Sequence, residues 1–207
     1  MCNLYNVTRN KEAIGGLFRA ALPFELPDVA SHIYPRKAGY IIRHQDGARV
    51  LDAKTWGIPC RLKGKRPGTF VTNWVTNVRN LSSPFWRSAL ASPGNRCLVP
   101  FERFAEPRPG KDAEGRPAQW WFHLPGSEMA AFAGIWRPFT IEIKGEQVSG
   151  EAFAFLTCEP NPLVAKLHPK AMPVILHPED YDKWLDGETD DACSLAAPFP
   201  SQLMQVA

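Results

Sequence analysis

The second residue, Cys2, carries the most distinctive chemistry in the chain. Methionine aminopeptidase generally removes an initiator methionine that precedes a small side chain, and cysteine is small. Removal of Met1 leaves an α-amine and a thiol on adjacent carbons, a 1,2-aminothiol found nowhere else in a protein. The free amine titrates at about pH 8 and the thiol at about pH 8.5, so both are partly deprotonated near neutrality. Such an amine condenses with an aldehyde to a Schiff base, and the thiol can then close a five-membered thiazolidine ring. Position alone favours a plainer reading, in which Cys2 is a small residue opening an edge strand. The reactive reading needs Met1 gone and both groups exposed at the mature terminus.

Other chemistries are harder to place. The remaining cysteines, Cys60, Cys97, Cys158 and Cys193, bring the count to an odd five without zinc-knuckle or redox spacing. Reduced thiols of a cytoplasmic protein are therefore expected. His32, His44, His123, His168 and His177 are scattered without an HExxH pattern, so neither a metal site nor a cofactor is expected. There is no phosphate-binding glycine loop and no Gly-x-Ser-x-Gly elbow. No apolar run approaches membrane-spanning length, and the first residues lack the order of a secretory signal.

The elements that would position these groups read as short strands with a few helices. Twenty prolines and fifteen glycines punctuate the 207 residues, 44% of which are hydrophobic. Gly39 to His44 and Ala48 to Trp56 form a hairpin pattern around an Asp46-Gly47 turn. Further strands are expected at 96–101, 118–124, 130–135, 139–143, 152–158 and 172–177. Helices are expected at 11–22, where Gly15-Gly16 weakens the pattern, at 83–91 with Ser83 as cap and Pro84 in the first turn, and at 178–185. Basic, glycine- and proline-rich stretches at 63–68 and 108–116 read as loops. The expected fold is α+β: a single domain over 1–207, with a curled, mostly antiparallel sheet or barrel-like core and a few peripheral helices. The net charge of +3 neither demands nor excludes nucleic acid.

Four separated segments, in order, give the chain a family resemblance. They are Met1-Cys2, Thr76-Asn77-Val78-Arg79, Arg96 to Pro100 with Arg103-Phe104-Ala105-Glu106, and Asn161-Pro162-Leu163-Val164 with His168 and Met172 to Leu176. Trp56-Gly57 and Phe132 to Trp136 fit as well. Together they resemble the SOS response-associated peptidase family, over about residues 1–186, with 187–207 left as a C-terminal tail. The resemblance is to a divergent, phage-related branch. It implies covalent capture of abasic sites in single-stranded DNA, with a lyase side activity. It also implies roles: Cys2 as nucleophile, Asn77 holding the terminal amine or the sugar, Glu106 as general acid/base, and His168 assisting proton transfer at the sugar hydroxyl. Taken singly, Asn77 could cap a turn, Glu106 could be a solvated loop acid, and His168 a structural histidine.

The sequence departs from the family pattern at places that bear on DNA. Asn3 and Leu4 follow Cys2 where the family carries glycine and arginine, so a phosphate contact beside the nucleophile is missing. Pro107 follows Glu106 in place of a tryptophan, and Pro169-Lys170-Ala171 occupies a stretch lengthened by one residue. Arg79, Arg36, Lys37 and Lys170 are the candidates for phosphate contact and Trp74 for base stacking, the alternative for Trp74 being burial in the core. The expected partner is single-stranded DNA containing abasic sites, bound by a monomer in the cytoplasm and at the nucleoid. Two other functions stay open. One is an N-terminal-nucleophile hydrolase that processes its own leader through Cys2. The other is a non-covalent single-strand binding module in which Cys2 does nothing.

Overall fold

The structure is a computed structural model and describes residues 2–143 and 145–207. Met1, on whose removal the aminothiol depends, lies outside the described residues. In chain order the first strands are β1 (Leu4–Asn6), β2 (His32–Ile33), β3 (Ala38–Gln45), β4 (Ala48–Trp56), β5 (Ile58–Lys63), β6 (Phe70–Val75) and β7 (Asn77–Val78). They are followed by β8 (Arg96–Phe101), β9 (Arg103–Lys111), β10 (Pro117–His123), β11 (Ala130–Ile143), β12 (Glu146–Cys158), β13 (Met172–Pro173), β14 (Ile175–Leu176) and β15 (Gln205–Val206). The helices are α1 (Lys11–Phe18), α2 (Pro84–Ala91), α3 (Pro162–Ala165), α4 (Tyr181–Asp186) and α5 (Thr189–Ser194).

Five strands close on themselves in the order β12-β4-β3-β8-β11, with β11 returning to β12. The pairings are antiparallel except β12 with β4, so the barrel is mixed. The β3–β4 hairpin forms as expected. Asp46 and Gly47 both adopt positive φ, 53° and 78°, the geometry of a two-residue turn whose twist matches its strands. β11 runs unbroken through Pro138, where two shorter strands were expected, and the run 172–177 divides into β13 and β14. Between those two, Val174 donates to Leu156 O at 2.9 Å and accepts from Ala133 N at 3.0 Å, stitching the chain to two barrel strands.

A second sheet, in the order β15-β10-β9-β1-β2, lies against the barrel. Register fixes its faces. Tyr5 stands opposite Ile33 and Phe104, and Phe104 opposite Phe122; all four are fully buried. The Tyr5 ring meets Trp56, Phe132 and Phe155 edge-on at 5.2, 6.1 and 6.2 Å, which locks the short β1 onto the barrel. Leu4, Ala105 and Trp121 occupy the opposite face by the two-residue period of the pleat.

Several stretches differ from the sequence expectation. The expected loop at 108–116 begins as strand, because β9 continues to Lys111. Residues 64–69 cap a hairpin of β5 and β6 that forms its own two-stranded sheet. The expected first helix ends early at Phe18, where Arg19 turns left-handed and its N–H returns to Gly15 and Gly16 carbonyls. The C-terminal segment is ordered: it contains α5, and β15 pairs with β10 through Val206 and Gln205.

The attachment of β1 depends on Gly39. A Cβ there would lie 2.3 Å from Tyr5 Oη and 3.1 Å from Phe153 Cζ. Gly39→Ala should therefore cost about 1–3 kcal/mol, the usual range for overpacking. Tyr5 Oη is buried with no hydrogen-bond partner among the described residues. Adding Tyr5→Phe to Gly39→Ala should thus recover much of the loss, as urea denaturation of the four proteins in a double-mutant cycle would read.

Candidate functional site

Four stretches of chain converge where the second sheet meets the barrel. Cys2 lies just before β1, and its Sγ donates to Leu4 O at 3.4 Å. Asn77 opens β7, which runs parallel to β12 with Asn77 opposite Phe155. Trp56, fully buried, donates from Nε1 to Thr76 O at 3.1 Å and so fixes the turn into β7. The Asn77 side chain donates from Nδ2 to Thr76 Oγ1 at 2.8 Å and to Cys2 O at 3.4 Å. Asn77 thus reaches the Cys2 main chain directly, and the threonine hydroxyl orients its amide.

Glu106 sits in β9 two residues beyond Phe104, on the face turned toward the barrel, opposite Trp120 of β10. It has no exposed surface. A strand residue two positions from a core phenylalanine faces the core too, so the carboxyl is buried by the pleat itself.

His168 follows α3. The Asn161 side chain caps that helix by accepting from Val164 N at 2.9 Å, and His168 N donates to Val164 O at 2.7 Å. Asn161 Nδ2 also donates to Phe199 O at 2.7 Å and touches Met204 Sδ at 3.1 Å. The C-terminal segment thereby holds the cap of the helix that precedes the imidazole. His168 Nδ1 lies 3.5 Å from Glu106 Oε2.

Burial sets the protonation states. It raises the Glu106 carboxyl from the ordinary carboxylate range to about 7. Burial also pushes the Cys2 thiol far above its usual range, and the Glu106 charge pushes it the same way. His168 is lowered by burial, with the Lys170 cation adding to the effect. Near neutrality the cluster therefore holds a protonated thiol, an uncharged imidazole and a carboxyl poised between its two forms. A carboxyl titrating near the working pH beside a neutral imidazole can both give and take a proton.

Cys2, Asn77, Glu106 and His168 are brought together. The expectation of an exposed cysteine is corrected: Cys2 is only 1% exposed, because it packs into the hydrophobic core beneath β1. The expected DNA contacts lie on separate elements. Arg79 bonds Cys158 O and pairs with Glu159, with 39% of its side chain exposed. Arg36 lies 5.6 Å from the Trp74 ring, and that half-buried ring meets Phe139 edge-on at 5.6 Å. Lys37 and Lys170 are exposed. Thr76, Trp120, Asn161 and Arg108, whose guanidinium lies 4.4 Å from the Trp120 ring, belong to the site's surroundings; Thr76 and Asn161 were named in the sequence only as parts of motifs, without a role, and Trp120 and Arg108 were not singled out. The capping residue had a readable signal, since Asn161-Pro162 is a helix-start pair; the others depend on strand register. Among the described residues no group of histidine, cysteine and acidic side chains could hold a metal ion.

The mixed barrel with its flanking sheet is shared with solved structures. One is a protein from Bordetella bronchiseptica, 23% identical with a TM-score of 0.74 over 100% of this chain and 98% of that one. Another is from Bacteroides thetaiotaomicron, 19% identical with a TM-score of 0.75 over 99% and 90%. A third is a phage-related protein from Bordetella bronchiseptica, 20% identical with a TM-score of 0.63 over 100% and 93%. At these identities the likeness is one of fold. The chain belongs to the SOS response associated peptidase (SRAP) family, whose model matches residues 1–207. No curated protein matches the sequence.

Two outcomes follow from the packing of the cluster. Asn161→Ala removes a helix cap worth about 1 kcal/mol and strands a buried carbonyl at Phe199. The thermal midpoint should drop, and amide exchange should rise around residues 162–168 more than in the barrel strands. Glu106 has a folded pKa above its unfolded value, so its contribution to stability is fully present below about pH 4.5 and is lost as pH rises through about 7. Glu106→Gln mimics the protonated carboxyl. Its stability relative to the native protein should rise by a few kcal/mol between pH 4.5 and 8 in denaturant titrations.

Proposed function

We propose that the protein captures abasic sites in single-stranded DNA as a covalent thiazolidine on Cys2, once Met1 has been removed. The observation that carries this reading is the meeting of Cys2, Asn77, Glu106 and His168, drawn from four distant segments, around one buried carboxyl. The open-chain sugar of an abasic site offers an aldehyde, the partner a 1,2-aminothiol requires.

In this reading the sugar ring opens as Glu106 protonates the ring oxygen and His168 accepts the proton of the anomeric hydroxyl. The Cys2 amine attacks the aldehyde carbon to give a carbinolamine. The proton shed by the attacking nitrogen returns to Glu106, and the imidazolium of His168 protonates the new alkoxide. Glu106 then protonates the departing hydroxyl, water leaves, and the iminium returns a proton to Glu106 to leave a Schiff base. The thiol sulfur adds to the imine carbon while its proton passes to nitrogen, closing the ring with a net loss of one water. A thiol held protonated by burial suits this order, with the amine attacking first and sulfur second. Failure of the last step leaves a Schiff base from which β-elimination could cut the strand, a lyase side reaction. Asn77, bonded to the Cys2 carbonyl, orients the terminus. Lys170, Lys37, Arg36 and Arg79 supply cations for phosphates, and Trp74, under Arg36, supplies a stacking face. The protein would act in the cytoplasm, at the nucleoid. No helix among the described residues is long and apolar enough to cross a membrane.

The family's description as a peptidase supports a second reading, Cys2-dependent cleavage of the protein's own leader. A deeply buried, protonated thiol is poorly prepared to attack an amide in the resting state.

The test is incubation of protein, its mature mass verified, with a single-stranded oligonucleotide carrying one abasic site. The native protein should form a crosslink that survives heating in detergent, and Cys2→Ala should form none. Glu106→Gln should slow the reaction by about 10²- to 10⁴-fold. The native rate should also lose a component as pH rises through about 7, and that loss should vanish in Glu106→Gln. Leader processing without any crosslink would favour the hydrolase. Salt-sensitive retention indifferent to Cys2 would favour simple binding.

A further inference from the structure

The outer face of the second sheet carries a cleft of about 310 Å³ that the chemistry above does not use. Leu4 forms part of its wall, and Leu4 is the residue whose carbonyl accepts from Cys2 Sγ. Two residues of chain span at most about 7 Å, so the cleft begins within that reach of the reactive cysteine. Around it stand three rings. His32 meets Trp121 edge-on at 5.8 Å, and Tyr34 leaves half of its surface exposed. The Arg103 guanidinium lies 5.7 Å from the Trp121 ring, and among the described residues no carboxylate pairs with it. Arg116 also lines the cleft, but Asp112 and Glu114 neutralise it. Gln119 turns its Oε1 into a buried position with no hydrogen-bond partner among the described residues.

These features describe the needs of one ligand type. The half-exposed Tyr34 ring and the partly exposed Trp121 ring give a base flat faces, and an unpaired guanidinium gives a phosphate its counter-charge. We propose that this cleft seats the nucleotide adjoining the abasic site on one side. Its base packs against Tyr34 and Trp121, and its phosphate lies on Arg103. The proposal rests on the abasic-site reading and deepens it. The cleft is walled by Leu4 of β1 and by Arg103, Gln119 and Trp121 of β9 and β10.

The experiment measures equilibrium binding to single-stranded oligonucleotides containing one tetrahydrofuran residue, an abasic mimic without an aldehyde. Three probes are used: bases on both sides, bases only on the 5′ side, and bases only on the 3′ side, with tetrahydrofuran spacers preserving every phosphate. The native protein should prefer bases on one particular side. Tyr34→Ala, an exposed position whose loss leaves the core intact, should weaken binding to that probe about fivefold or more and leave the opposite probe unchanged. Arg103→Gln should weaken all three and reduce the dependence of log K on log salt by about one. Binding of all three probes by Tyr34→Ala at native affinity would overturn the proposal, as would equal loss on both sides. Flank-dependent, Tyr34-dependent binding by a native protein that never crosslinks a true abasic site would uphold the cleft and remove only the covalent reading.

Discussion

Burial of the Glu106 carboxyl is the constraint around which the site is built. A carboxylate with no exposed surface is expensive, and here the charge is placed on the inward face of a strand, two residues from the core Phe104 and opposite Trp120. The group answers by holding its proton up to about pH 7. That shift makes the position useful for acid–base work and also makes it a standing cost to the fold. Proteins keep such a group where its chemistry outweighs its penalty. The neutral imidazole 3.5 Å away and the near-terminal cysteine beneath β1 share its low-dielectric surroundings.

Everything that reaches Glu106 is held by a different part of the fold, and each support is apolar packing or a capped end. Tyr5 pins β1, and hence Cys2, by its edge contacts with three barrel aromatics. Trp56 pins the turn that presents Asn77. The C-terminal segment pins the helix before His168 through Asn161. A site assembled this way has little local stability of its own and borrows rigidity from the barrel. It also explains why a chain end far from the chemistry in sequence, Phe199 to Met204, bears on the imidazole.

The sequence disclosed more of the barrel than of its seams. Hairpin signals are local, so Asp46-Gly47 gave the β3–β4 turn, and the all-buried run Arg96 to Phe101 gave β8 at its true limits. Pro138 misled, because a proline usually interrupts a strand, yet β11 carries it opposite Glu151 without a break. β1 and β15 are too short to show a period, and each exists only because a neighbour offers an edge. The four central site residues were legible through a family resemblance, whereas Thr76, Trp120 and Gln119 depend on register between strands distant in sequence. Cys2 was expected exposed, since a residue beside a terminus usually is; the pull of the core beneath β1 proved stronger.

That burial bears on how a substrate would meet the cysteine. An aldehyde cannot react with a thiol that is 1% exposed unless the start of the chain yields or the substrate is delivered at the edge of β1. The strand is three residues long, and β2 pairs only with Tyr5 and Asn6, so its first residue is paired with β9 alone and a small displacement there breaks few bonds. The outer face of the same strand borders an open, aromatic cleft with an unpaired cation. Ligand held there would sit on the far side of β1 from Glu106, within two residues of Cys2. Binding energy gained on that face is then available to offset the cost of opening the terminus, which is how contacts remote from a reacting centre assist the reaction.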